Sequence, residues 1–125
     1  MGKTISLTAM IAVLLPAAAM AEQAAEPDRV DVAYEALAAG QTDEAVAKLT
    51  KANASESDDP AALINLGTAY ARQGRAAEAR AMFIAAMESS SRSELELADG
   101  SWVDSRRAAK IALARLEKAE DLVMR

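Results

Sequence analysis

The 125-residue sequence contains no cysteine and no histidine. Their absence excludes a disulfide framework, a zinc finger, a thiol nucleophile, a Ser–His triad and an imidazole-ligated metal. Aromatic residues are scarce, at 3%, although hydrophobic residues make up 52%. Alanine supplies much of that fraction, a balance that favours close-packed helices over a β-sandwich. Positive charge is the minority sign: 14 Lys and Arg stand against 19 Asp and Glu, for a net charge of −5. Nucleic acid and anionic membranes both require a basic patch, so neither is expected as the main partner. The length suits a single domain.

A long apolar run is also missing. The longest candidate, Ile5 to Leu15, covers roughly 11 residues, against the ~20 a membrane-spanning helix needs. It follows Lys3 and is ended by Pro16, and Ala19-Met20-Ala21 places small residues before Glu22. This is the pattern of a cleavable signal peptide over residues 1–21. With no cysteine to carry a lipid, a lipoprotein anchor is excluded. The expected location is periplasmic in a Gram-negative source, or secreted. The mature chain would keep a net negative charge and no membrane span.

What is present is a repeat. An offset of 34 places Gly40 on Gly74, Glu44 on Glu78, Ala45 on Ala79, Leu49 on Phe83 and Ala52 on Ala86. Upstream, Val32 falls on Leu66 and Ala33 on Gly67, with size roughly kept, and Ala36 falls on Tyr70. Asp59-Pro60 reads as an N-cap and a first helical proline. Leu63, Leu66, Gly67 and Tyr70 then share one helical face. Gly74 suits a left-handed helix end, and a second helix is predicted from about Ala76 to Met87, with Ala79, Phe83 and Ala86 on one side.

These residues resemble the tetratricopeptide repeat, a helix-turn-helix unit, in the order Leu63, Leu66-Gly67, Tyr70, Gly74, Ala79, Phe83 and Ala86. The resemblance implies an all-α fold with two repeats over residues 26–93. Residues 60–93 match well. Residues 26–59 are a degenerate copy, with Arg29 and Ala36 where a large apolar residue and Tyr belong; its first helix is predicted to begin near Pro27 or Asp28. The terminal proline of the pattern is replaced by Ser91. The small residues at Gly67, Ala79 and Ala86 are expected to let paired helices approach, while Leu66, Tyr70 and Phe83 fill the space between units.

Glu94 to Val103 alternates polar and apolar residues around Asp99-Gly100, which predicts a hairpin over 94–103; the alternative is a Glu-rich helix start broken at Gly100. A bare hairpin is marginal in water, so Leu95, Leu97, Trp102 or Val103 must pack on the helices. Trp102 reads as core or cap packing rather than a ligand platform. Asp104 is a candidate N-cap for a final helix over 104–125, whose stripe Ala108, Ala109, Ala112, Leu113 and Leu116 would cover the second repeat. Solenoid units leave an apolar face for a neighbour; if this helix does not suffice, homodimerisation is the remedy.

No constellation for catalysis emerges. Glu56, Asp58 and Asp59 lack the ligand set and glycine of a calcium loop, Ser89-Ser90-Ser91 has no base, and Arg106, Arg107 and Lys110 read as the wet face of a helix. No metal or cofactor is expected, and the chain does not read as an enzyme. The resemblance implies instead a groove on the inner face of each repeat's first helix. Its residues would be Ala61, Ile64, Asn65, Thr68, Ala71 and Arg72, with Val30, Asp31, Tyr34, Leu37 and Ala38 in the first repeat. Asn65 matches one position of the family's carboxylate clamp, but the lysines are absent, so a charged chain terminus is not the expected ligand. A mostly apolar groove suggests an amphipathic or extended partner segment; the alternative is a self-associating structural protein. If the leader is removed on export, N-terminal sequencing of the protein recovered from a bacterial envelope will begin at Glu22, and recovery of chains beginning at Met1 would refute it.

Overall fold

The computed structural model describes residues 33–97 and 99–125. The expected signal peptide, and Val30 and Asp31 of the expected groove, lie outside the described residues. Five helices follow in order: α1 (Tyr34–Ala38), α2 (Thr42–Lys51), α3 (Pro60–Arg72), α4 (Ala76–Glu88) and α5 (Ser105–Val123). A 3₁₀ turn at Ala54–Glu56 links α2 to α3, and two short strands, β1 (Glu94–Glu96) and β2 (Trp102–Asp104), precede α5. The architecture is all-α helix-on-helix packing with one hairpin and a C-terminal helix.

The two repeats turn in the same way. Gly40 and Gly74 both sit at φ +75°, where only glycine avoids a Cβ penalty. Gly40 N–H donates to Leu37 O and Gln41 N–H to Ala36 O; thirty-four residues on, Gly74 N–H donates to Ala71 O and Arg75 N–H to Tyr70 O. Both are Schellman ends, which satisfy carbonyls the helix leaves unpaired. Arg75 also lies 4.2 Å over the Tyr70 ring, covering the turn. Ala33 is left-handed at φ 53° and the described helix starts at Tyr34; the predicted start near Pro27 or Asp28 lies outside the described residues. At α3, Asp59 Oδ1 accepts from Ala61 N–H at 2.9 Å and Pro60 opens the first turn, as the sequence indicates.

The core is continuous through α3. One face, with Ala62, Leu66 and Ala69, packs into the first repeat against Ala36, Leu37, Ala45 and Leu49. The other, with Leu63, meets Ala86 of α4 and Ala109 of α5. Leu49, Leu63 and Leu66 are at most 1% exposed, each contributing about 1.5–3 kcal/mol through burial. Phe83 combines two contacts. Its ring lies against Gly67 within its own unit, and it clusters with Ala79 and Leu116 of α5. Leu66 does face the neighbouring repeat, whereas Phe83 packs inside its unit and against α5. That helix takes the position of a third repeat's first helix. Arg80 of α4 holds it with ion pairs to Glu117, at 3.0 Å, and to Glu120.

Ser91 replaces the pattern's proline for a visible reason. Asp58, just before α3, receives the chain leaving α4: Ser90 N–H at 3.0 Å, Ser91 N–H at 3.2 Å, Ser91 Oγ at 3.0 Å, and the Ser90 hydroxyl. Ser89 Oγ lies 2.9 Å from Asp58 Oδ1. The acidic cluster and the serine run, separate in sequence, close the second repeat across its two ends.

The hairpin forms, with Leu95 paired to Val103 and Glu96 to Trp102. Its loop is closed by Gly100 N–H to Leu97 O at 2.8 Å, with Gly100 at φ +79°. Val103 is buried, and Ser105, fully buried, anchors the base through Ser105 N–H to Ser93 O at 2.9 Å. Trp102 is not core: it is 64% exposed. Directly opposed residues share a sheet face, so once Leu95 and Val103 face the helices, Trp102 must share the outer face with Glu96.

Two outcomes follow from this packing. A Cβ on Gly67 would fall 2.6 Å from Phe83 Cε1, and the buried ring cannot swing clear. Gly67→Ala should therefore lower stability in urea by about 1–3 kcal/mol. In combination with Phe83→Leu the two losses should be less than additive, and simple additivity would refute the contact. The hydroxyl of Ser90, then those of Ser89 and Ser91, hold the Asp58 carboxyl well below the usual carboxylate range. A depressed folded pKa adds stability above the unfolded value of about 4 that fades as pH falls below it. The stability gap between wild type and Asp58→Asn should thus be constant from pH 8 to pH 5 and narrow below about pH 4; a gap that widens in acid would contradict the clamp.

Candidate functional site

The candidate site is built on α3. Pro60 and the Asp59 cap fix its start, and the helical period divides its residues. Leu63, Leu66 and Gly67 turn into the core, leaving Ala61, Ile64, Asn65, Thr68 and Arg72 on the opposite, inner face. Those five line a cavity of about 660 Å³ together with Tyr34, Leu37 and Ala38 of α1. Of the eleven residues assigned to the groove from sequence, nine lie among the described residues and eight of these are thereby brought together. Ala71 is not: it packs against the Phe83–Leu116 cluster on the α5 side. At about 100° per residue it lies close to Ile64 round α3 but two turns further along, at the edge of the inner face, where the α5-side cluster takes it up and Ile64 packs against that cluster too.

Four further residues complete the wall: Leu95, Glu96 and Leu97 from the hairpin and Ala108 from α5. Sequence reasoning placed none of them there. The Glu-Leu-Glu-Leu alternation signalled a strand, but only the fold shows that the strand stands beside α3. The cavity falls within the range of ~300–1,000 Å³ typical of ligand sites.

The polar groups are few and mostly occupied. Thr68 Oγ1 donates to Ile64 O at 2.8 Å, a local helix bond. Arg72 Nη1 donates to Leu37 O at 2.7 Å, tying α3 to the end of α1 across the groove floor. The guanidinium therefore fixes the spacing of the two inner helices as well as lining the cavity. Tyr34, 56% exposed, stands at the rim, and Ile64, half-buried, offers the main apolar wall on α3. Such a surface can take apolar side chains with a few polar contacts; it holds no acid–base pair aimed at a common point.

Among the described residues no group of three or more His, Cys, Asp or Glu could hold a metal ion, and no helix is long and apolar enough to cross a membrane. Arg106 reaches towards Ser89 O at 3.5 Å while Arg107 and Lys110 are exposed, as befits the wet face of α5.

The family profile described as tetratricopeptide repeat matches residues 36–94. No curated protein and no solved structure matches the chain. The match runs from within α1 through both glycine turns to the start of β1. Over residues 36–94 the chain is thus similar to the tetratricopeptide repeat, a helix-turn-helix protein–protein interaction module, and the packing of α1 to α4 agrees with that likeness.

Proposed function

We propose that the protein is an exported adaptor or assembly factor whose inner groove, between α1, α3 and the hairpin, takes a segment of a partner protein. The observation that carries this reading is the convergence of Tyr34, Leu37, Ile64 and Asn65 with Leu95 and Leu97 on one largely apolar cavity. Apolar lining with few polar handles suits an extended or amphipathic segment. The small repeat array limits the buried area, so a single copy binds transiently. The leader-like residues 1–21 support export to the periplasm or outside the cell.

A second reading is self-association. Beyond Leu116, α5 exposes Leu122 and Val123, at 66% and 86%, where a full third repeat would supply a covering helix. The two readings differ in solution: a dimer that buries Tyr34 and Ile64 changes mass with concentration and leaves no groove for another protein.

Ile64→Asp puts a carboxylate on the apolar wall, and desolvating it on binding is costly. Crosslinked co-purification of the tagged protein from the cell envelope should recover a partner with wild type. The variant, with circular dichroism unchanged, should recover it about tenfold less, a loss near 1.4 kcal/mol. Equal recovery by both proteins would place binding outside the groove, and self-crosslinks alone would favour the second reading.

A further inference from the structure

Resting on the groove reading, we propose that the occupant binds by strand addition: an extended segment alternating basic and apolar residues pairs with the free edge of β1 while its apolar side chains enter the cavity. The hydrogen-bond register makes the case. Ser105 N–H donates to Ser93 O and Leu97 N–H to Ser101 O, so the residue pairs that exchange ladder bonds are 93 with 105, 95 with 103 and 97 with 101. In an antiparallel ladder such pairs alternate with pairs that exchange none. Glu94 opposite Asp104, and Glu96 opposite Trp102, are of the second kind. Their N–H and C=O groups point away from β2, along an edge that pairs with no other strand among the described residues.

That edge faces the groove. Consecutive residues in an extended chain project to opposite faces, yet Leu95, Glu96 and Leu97 all line the same cavity. A cavity that touches both faces of a strand looks at its edge, and no β2 residue contributes to the wall. Natural proteins shield free edges by shortness and charge; here both devices are present, since β1 has three residues and two are glutamates. They also define what fits. Cross-strand opposite charges stabilise a pair and like charges oppose it, so Glu94 and Glu96, on a chain of net charge −5, select lysine or arginine in the added strand. Residues between them meet Leu95, Leu97 and Ile64.

The test uses the full chain and two synthetic probes: an acetylated, amidated octapeptide alternating lysine and valine, and the same peptide with alternate backbone nitrogens methylated, made in both registers. Fluorescence anisotropy should show binding of the unmodified peptide. It should weaken at least tenfold when methylation falls on the edge-facing register and little in the other. Glu96→Pro removes an N–H that no ladder bond uses, so it should abolish binding while circular dichroism and the urea midpoint stay unchanged. Glu94→Lys with Glu96→Lys should reverse the preference towards a glutamate–valine peptide. Undiminished binding of both methylated peptides would overturn strand addition and leave the groove reading standing. Binding of neither peptide type would overturn both. A concentration-dependent dimer that Glu96→Pro converts to monomer would assign the edge to a second copy and overturn the proposal.

Discussion

The contact between Gly67 and the ring of Phe83 sets the distance between α3 and α4, and nearly everything else is arranged around that distance. A side chain on residue 67 would meet the ring at 2.6 Å, so the helices come together only because one offers bare backbone. With Phe83 seated there, its other edge is presented to Leu116, and α5 has a surface to lie on. Leu63, Ala86 and Ala109 close in beside it, where alanines permit the same close approach. The result is a two-sided helix, α3, buried against the first repeat on one flank and against α4 and α5 on the other. The inner face that remains lines the cavity.

Polar interactions then fix what apolar packing leaves adjustable. Hydrophobic contact is non-directional and tolerates small shifts. The hydrogen bonds of Asp58 to the serines after α4 tie the two ends of the second repeat. Arg72 to Leu37 O sets the first repeat against the second, and Arg80 ties α5 to α4 through two glutamates. The hairpin depends on all of these. A two-stranded ribbon is marginal by itself; it is held because Val103 and Ser105 are buried at its base, and through that anchorage β1 becomes a wall of the cavity.

Much of the repeat was legible because its signals are local. A cap followed by proline, a glycine one residue past a helix end and apolar residues at helical spacing each act within a few positions, so α3, α4, α5 and both turns could be placed from sequence. The five cavity residues of α3 could be placed for the same reason, since helical geometry alone sorts that helix into inner and buried faces. Ala71 failed at the margin of that sorting, where a residue at the edge of a stripe is claimed by whichever neighbour packs first. Trp102 failed because a short strand has two faces and composition does not say which one the helices cover.

By itself the sequence determined the helices of the second repeat and the C-terminal helix, the 34-residue register and the absence of any chemistry that needs thiol or imidazole. These follow from backbone preference, side-chain period and the inventory of functional groups. Only the tertiary structure decided that Asp58 meets Ser89 to Ser91 thirty-odd residues away and that Leu95 to Leu97 stand across from Ile64. It also decided that β1, whose Glu94 and Glu96 turn their backbone groups away from β2, stands in the wall of the cavity. Those relations join segments whose spacing in the chain carries no signal of contact, because they are set by how far α4 and α5 carry the backbone and by the angle at which they pack.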